Sequence, residues 1–202
     1  MYYYMEESDK IFRFYINRRN PKPIFETHLM SEQCRYIKPD GEHCKRTVVL
    51  GIPLCSQHLA MEKHLKIKKS TIPKSGKGLF AYDPTAGPNS IIFRGNEEAG
   101  DLITRYDGEI ITRATLNHRY RRFTAPYAVE ISNNRYEDGA KIRGVGSYVQ
   151  HSDDENKINC RLALNNHRIV IFATKNIKNG KELFTNYQEE YGFNDSTHHS
   201  TR

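Results

Sequence analysis

Three cysteines and a histidine crowded into residues 34–58, spaced Cys34-x9-Cys44-x10-Cys55-x2-His58, constrain this chain more than any other feature. A segment that short has no room for an apolar core, so something other than hydrophobic burial must hold it together. Three thiols and an imidazole are the soft and borderline donors a tetrahedral zinc ion takes, and the closing Cys-x2-His is a tight chelating pair. The turn formers Pro39-Asp40-Gly41 and Gly51-Ile52-Pro53 can fold two excursions back on one ion. One zinc ion held by Cys34, Cys44, Cys55 and His58 would then supply the folding energy. His43 and His64 are spare candidates for a ligand. Only Cys160 lies outside this cluster, a usage that suits a reducing compartment and a metal site better than a disulfide scaffold.

The remaining residues suit one ordinary domain beside this module. The chain has 202 residues, 37% hydrophobic and 11% aromatic, enough for one packed core. No apolar run approaches the roughly 18 residues that span a membrane. The N-terminus lacks an apolar signal core, so an intracellular location is expected. Charge is unevenly spread. Residues 1–75 carry 14 Lys/Arg against 8 Asp/Glu, while residues 76–202 carry 17 against 16. A basic N-terminal third prefers polyanions, nucleic acid first among them, although a solvated face would read the same way.

Residues 11–16 read as a short strand or apolar patch, and residues 59–69 as a helix leading out of the metal module. From residue 70 onward, short apolar runs alternate with turn signals: LFAY, SIIF, DLITRY, EIIT, YAVEI, LAL, RIVIFA and ELF. That pattern predicts a mostly β domain of small strands with a few short helices. One helix is expected at about 113–122, with Thr112 as its N-cap. The divisions expected are an N-terminal segment at 1–30, the zinc-stabilised module at 31–65, a larger domain at 66–193 and a flexible tail at 194–202.

Ser75-Gly76-Lys77-Gly78 places two glycines around one residue just before an apolar run. Glycines there let a ligand approach the backbone. The loop is neither a P-loop nor a dinucleotide fingerprint, because Gly78 stands where Ser or Thr would follow the lysine and no third glycine comes after it.

From Ile72 to about Phe193 the chain resembles the SET-domain family of protein-lysine methyltransferases. IPKSGKGLFA is similar to the family's first cofactor loop, and DLITRYDGEIIT to its Tyr-x-Gly-Glu block through Tyr106, Gly108 and Glu109. GVGSYVQHSDDEN is similar to its Asn-His-Ser-Cys block, with Gln150 and Asp153 standing at the Asn and Cys positions. IVIFATKNIKNGKELFTNY ends at Tyr187, where the family has its catalytic tyrosine. The resemblance implies a SET-type fold of small curved sheets whose C-terminal segment threads a loop as a pseudoknot, an exception to the usual unknotted rule. The family's Cys-rich segment after the catalytic tyrosine is absent, as in minimal, viral-type members.

It also implies a reaction: a lysine ε-amine attacks the methyl of S-adenosyl-L-methionine. A free lysine has a pKa of about 10.4, so an apolar, aromatic-walled channel helps by disfavouring the cation, and alignment does most of the rest. By resemblance Tyr187 is catalytic and Tyr106 a second channel tyrosine. Ser75, Gly76, Lys77, Gly78, Gln150, His151 and Phe193 would contact the cofactor, and Tyr127, Tyr148 and Tyr191 would wall the channel. The acidic clusters at Glu97-Glu98, Glu137-Asp138 and Asp153-Asp154-Glu155 suit a basic peptide tail and suit solvated loops equally well.

The metal module has its own likeness. Its spacing over 34–58 resembles the WRC zinc module of plant transcription regulators, with Glu42-His43-Cys44 at the naming tripeptide. That implies DNA or nucleosome contact through residues 35–69, or a purely structural knuckle. The expectation is therefore a histone-lysine N-methyltransferase using S-adenosyl-L-methionine and one zinc ion, acting on a histone or another basic tail. Its place would be the nucleus or chromatin, a host's nucleus if the source is viral. The alternative is a SET-like zinc protein that binds chromatin or DNA without turnover.

Overall fold

In the computed structural model of the chain, residues 2–5, 12–15, 31–120, 125 and 127–187 are described. The expected tail at 194–202, with Tyr191 and Phe193, lies outside them. Strands β1 (Tyr2–Met5) and β2 (Phe12–Tyr15) pair antiparallel, the second falling on the apolar patch read from sequence.

The metal module is built on a two-stranded ribbon of β3 (Ser31–Gln33) and β4 (Thr47–Val49). Between them a turn at Asp40-Gly41 is closed by an Ile37–His43 bridge, with Gly41 at φ 85°. Helix α1 (Ser56–Lys63) starts directly after Cys55 and stops where His64 turns left-handed at φ 52°. The helix expected over 59–69 therefore ends early. Leu65–Lys69 is strand β5, with alternation that places buried Leu65 and half-buried Ile67 on one face. It pairs in register with β6 (Lys77–Ala81), Leu65 opposite Ala81 and Lys69 opposite Lys77. Tertiary pairing outweighed the helix propensity of the lysines.

The rest of the chain forms small sheets, as expected. Strand β7 (Ile91–Phe93) is followed by β8 (Leu102–Arg105), β9 (Glu109–Thr112), β10 (Ala128–Ser132) and β11 (Arg135–Asp138). After them come β12 (Gln150–His151), β13 (Cys160–Asn165), β14 (Arg168–Ala173), β15 (Ile177–Lys178) and β16 (Phe184–Thr185). Two sheets have three strands, in the orders β10-β11-β9 and β13-β14-β8. Helix α2 (Arg113–Tyr120) sits after β9 and buries Leu116 and Tyr120, one helical turn apart. Its cap is the one read from sequence: the Thr112 hydroxyl accepts the Thr115 N–H at 3.2 Å.

Residues 182–185 are buried. Strand β16 runs parallel to β12, Leu183 N–H reaches Leu79 C=O at 2.8 Å, and Asn159 N–H reaches Phe184 C=O at 3.1 Å. The C-terminal segment is thus hemmed in by three earlier stretches, the packing that a threaded C-terminal segment needs. Leu79 and Leu183 are wholly buried there, each contributing about 1.5–3 kcal/mol. One apolar cluster joins Cys34, Cys55, Leu59 and Leu65 of the N-terminal part to Leu79, Val149, Ile171 and Leu183. The metal module and the larger domain share a core.

Glu137 and Asp138 correct the sequence reading. They are wholly buried on β11, not part of an acidic surface. Glu137 takes the Gly108 N–H at 3.0 Å, the Ile169 N–H at 2.7 Å and Arg168 at 3.1 Å. Burial nonetheless pushes its carboxyl above the usual range, against the pull of those donors. Asp138 pairs with Arg119 and accepts the Tyr120 hydroxyl at 2.6 Å; burial and that carboxylate push the Tyr120 phenol well up.

Candidate active site and metal centre

The ligand atoms of Cys34, Cys44, Cys55 and His58 all lie within 4.8 Å of one another, and all four residues are buried. His58 Nδ1 is 3.5 Å from Cys34 Sγ and 3.4 Å from Cys55 Sγ. Metal–ligand bonds of about 2.3 Å to sulfur and about 2.0 Å to nitrogen in a tetrahedron require S···N edges of about 3.5 Å. The donor set therefore fits zinc in chemistry and in spacing. The neighbours support it: Tyr36 stacks on the His58 ring at 3.7 Å, Cys55 N–H donates to Cys34 Sγ at 3.1 Å, and Arg46 reaches Cys55 Sγ at 3.7 Å. Burial pushes the Cys34 thiol up. At Cys55 burial acts in the same sense but is outweighed by the His58 N–H and the Arg46 guanidinium, so that thiol is lowered. His43 and His64, the spare candidates, are both exposed, His43 on the Ile37 bridge and His64 facing Asp83 at 3.3 Å.

The glycine loop and the third block meet although some seventy residues separate them. Gln150 Nε2 donates to Lys77 C=O at 2.7 Å and reaches Ser75 C=O at 3.4 Å, clasping the Ser75–Gly78 loop from across the site. Gly76 needs its φ of 75° for the loop to turn. Gly78 is needed for a different reason. A Cβ there would collide with Glu182 Oε1 and sit 2.9 Å from its carboxyl carbon. Glu182 is itself held by Thr71, whose N–H and hydroxyl both reach Oε2. Gly78→Ala is accordingly expected to displace the loop and abolish the stabilisation by S-adenosyl-L-methionine in a thermal-shift titration. A wild-type shift in that variant would dissociate this loop from the cofactor.

Tyr187 is fixed from two sides. Its hydroxyl donates to Val149 C=O at 2.6 Å and its N–H to His151 Nδ1 at 3.1 Å, with the two rings stacked at 5.3 Å. An Nδ1 that accepts requires the proton on Nε2, where Asp153 Oδ1 lies 2.9 Å away. Asp153 thus holds the tautomer that lets His151 receive the Tyr187 amide. Tyr106 belongs to the same apolar cluster as Tyr187, and its hydroxyl donates to Tyr127 C=O at 2.8 Å. Tyr148 is buried in the other apolar cluster, with Val149 and Leu183; burial raises its phenol pKa, and the charge of Arg143 opposes the rise.

The structure therefore brings Ser75, Gly76, Lys77 and Gly78 together with Gln150, and seats His151 against Tyr187. Tyr106 joins the same neighbourhood with Tyr127. Tyr191 and Phe193 are outside the described residues. Sequence reasoning missed Glu182 and Arg143. Glu182 had a trace, since it follows Lys181 at the edge of an apolar run; Arg143 had none.

The basic residues of the metal module are partly engaged. Arg35 pairs with Glu32 at 2.9 Å and Lys38 with Glu42 at 3.5 Å. Lys66 and Lys68 lie over the rings of Tyr82 and Phe80 at 4.3 and 4.0 Å. Lys45, Lys63 and Lys69 are exposed and make no ion pair among the described residues.

The small sheets packed round residues 182–187 agree with the family comparison: residues 91–188 match the SET domain model, and this part of the chain is a SET domain. Its relatives include the histone-lysine N-methyltransferase ASHH3 of Arabidopsis thaliana, 28% identical over 66% of this chain and 36% of that protein. Another is a Mycosarcoma maydis histone-lysine N-methyltransferase, H3 lysine-36 specific, 31% identical over 45% of this chain and 10% of that one. Among solved structures, the polycomb repressive complex 2 of Chaetomium thermophilum aligns with a TM-score of 0.48 at 27% identity, over 63% of this chain and 15% of that one. The chain spans about a third or less of the length of these curated relatives. No helix among the described residues is long and apolar enough to cross a membrane.

Proposed function

We propose that the protein is a histone-lysine N-methyltransferase using S-adenosyl-L-methionine, with a zinc-stabilised module that helps it dock on chromatin. The observation that supports the reading is that neighbouring residues of β12, Gln150 and His151, hold the glycine loop and Tyr187, whose hydroxyl is fixed on Val149 C=O. The cofactor, when bound, supplies a methyl group on a sulfonium centre. Ser75, Gly76, Lys77 and Gly78 would hold it, with Gln150 closing the loop and His151 beside it. Gln150, one methylene longer than the family's Asn, spends its amide on the loop carbonyls of Lys77 and Ser75.

Tyr187, Tyr106, Tyr127 and Tyr148 would wall the lysine channel. Apolar ring faces oppose the ammonium form of the substrate, and a fixed hydroxyl orients the neutral amine. With Val149 and Tyr127 carbonyls taking up the tyrosine hydroxyl protons, each oxygen would meet an incoming N–H as an acceptor. Alignment then provides most of the acceleration. The relatives named as histone-lysine methyltransferases favour a histone substrate and a nuclear or chromatin location. Lys45, Lys63 and Lys69 are the residues of the module best exposed for contact with a phosphate backbone.

The test is an intact-mass measurement after incubation with S-adenosyl-L-methionine and nucleosomes or free core histones. A gain of one or more methyl masses establishes the reaction, and fragmentation names the lysine. Cofactor binding with no gain on any histone moves the substrate to other basic proteins. Failure to bind cofactor at all sinks the enzymatic reading in favour of a SET-like protein that only binds.

A further inference from the structure

We propose that Arg143 is a positioning residue for the lysine channel, and that the metal module acts on the channel through it; the inference rests on the methyltransferase reading above. Arg143 lies between β11 and β12 and is 8% exposed. Its N–H donates to Leu50 C=O at 2.9 Å. Leu50 and Gly51 form the turn after β4, on the stretch of chain strung between the ligands Cys44 and Cys55. The two backbones touch: Gly51 has φ 101°, and a Cβ on it would lie 2.8 Å from the nitrogen and from the carbonyl carbon of Arg143. No other residue type fits that contact.

On its other side Arg143 meets Gly139 and Tyr127, the latter a proposed channel wall. Nε donates to Gly139 C=O at 3.0 Å, and the guanidinium lies over the Tyr127 ring at 3.8 Å. Tyr127 C=O accepts both the Gly139 N–H and the Tyr106 hydroxyl, each at 2.8 Å. Arg143 therefore bridges the turn between two metal ligands and the pair of tyrosines that wall the channel.

The side chain is a costly choice for packing alone. Nη2 is buried without a hydrogen-bond partner, and no carboxylate pairs with the guanidinium among the described residues. A buried cation with one donor unmet and no carboxylate partner is unfavourable, and an apolar side chain of similar volume fills such a slot at less cost. What an apolar replacement would lack is the flat, charged plane that fixes the Tyr127 ring and the donor that fixes Gly139. A shift of about 1 Å at a channel wall is enough to lower turnover about 10²-fold.

The experiment compares the zinc-loaded wild type, Arg143→Gln, Gly51→Ala and the double variant. It measures kcat and KM for the protein substrate, cofactor affinity by calorimetry and zinc per chain. Arg143→Gln is expected to lower kcat/KM about 10²-fold with cofactor affinity and zinc content unchanged. Gly51→Ala should lose turnover with zinc retained, and hydrogen exchange should show residues 139–148 deprotected in it. If the module works through Arg143, the double variant loses no more than Arg143→Gln alone. An active wild type with an equally active Arg143→Gln overturns this proposal by itself. So does a parallel fall in cofactor affinity, or additive losses in the double variant. A wild type that binds cofactor and modifies no protein overturns the methyltransferase reading and takes this one with it.

Discussion

Stripping zinc with a chelator is expected to unfold more than the segment that holds it. Structural zinc sites contribute apparent binding energies of about 10–16 kcal/mol, as much as the roughly 5–15 kcal/mol that holds a whole domain folded. Here the ligands are also part of the main core, since Cys34 and Cys55 pack in one apolar cluster with Leu79, Val149 and Leu183. Losing the metal removes one wall of that cluster and frees the Leu50 turn from Arg143. At about 2–4 °C per kcal/mol for a chain of this size, the melting temperature should fall by roughly 10 °C or more. Cys55→Ser should behave like chelation. Cys160→Ala should not, because that thiol is not among the four metal-ligating side chains; it sits in the same apolar cluster and donates to Phe184 C=O at 3.3 Å. Acid should mimic the chelator, because protons compete for the three thiolates and zinc affinity falls as pH falls. A melting curve indifferent to chelation would mean that the four side chains hold no metal that matters to the fold.

Tyr187→Phe is expected to abolish turnover while leaving the protein folded and able to bind cofactor. The substitution keeps the ring that stacks on His151 and the amide that reaches its Nδ1. It removes one hydroxyl and orphans Val149 C=O, a stability cost of about 1–3 kcal/mol. Removing one preorganised polar group from an active site typically costs about 10²–10³ in kcat. The clasp of Gln150 on Lys77 is untouched, so S-adenosyl-L-methionine affinity should hold. The measurement is single-turnover methylation read by mass, beside a cofactor titration. Wild-type turnover in Tyr187→Phe would move the catalytic role to another side chain.

The contrast between these two predictions reflects what a linear reading can reach. The ligand set at 34, 44, 55 and 58 was legible because tetrahedral coordination demands particular donors at loop-closing spacings, and those are properties of the sequence. Apolar runs such as RIVIFA announced β14 for the same kind of reason, since a strand buried on both faces needs continuous hydrophobicity. The flanking block pointed to Tyr187 by resemblance, and its catalytic role is the proposal that Tyr187→Phe tests. Strand β5 was not, because LKIKK serves a helix or a strand equally well until β6 offers it a partner. Glu137 and Asp138 were not, because a carboxylate is normally a surface group, and their buried state depends on Arg168, Arg119 and Tyr120 arriving from other elements.

By itself, then, the sequence determined the chemistry available: a soft metal site, a glycine loop, a set of tyrosines and the alternating or continuous apolar runs that make small sheets. Short-range covalent and steric rules suffice for those features. Only the tertiary structure decided which groups act together. It set Gln150 on Lys77 and His151 on Tyr187, and it fused the metal module into the main core with Arg143 between them. The first two contacts join residues tens of positions apart through the Lys77 carbonyl and the Tyr187 N–H, backbone groups that nearly every residue carries, so no pattern of side chains along the chain could announce them.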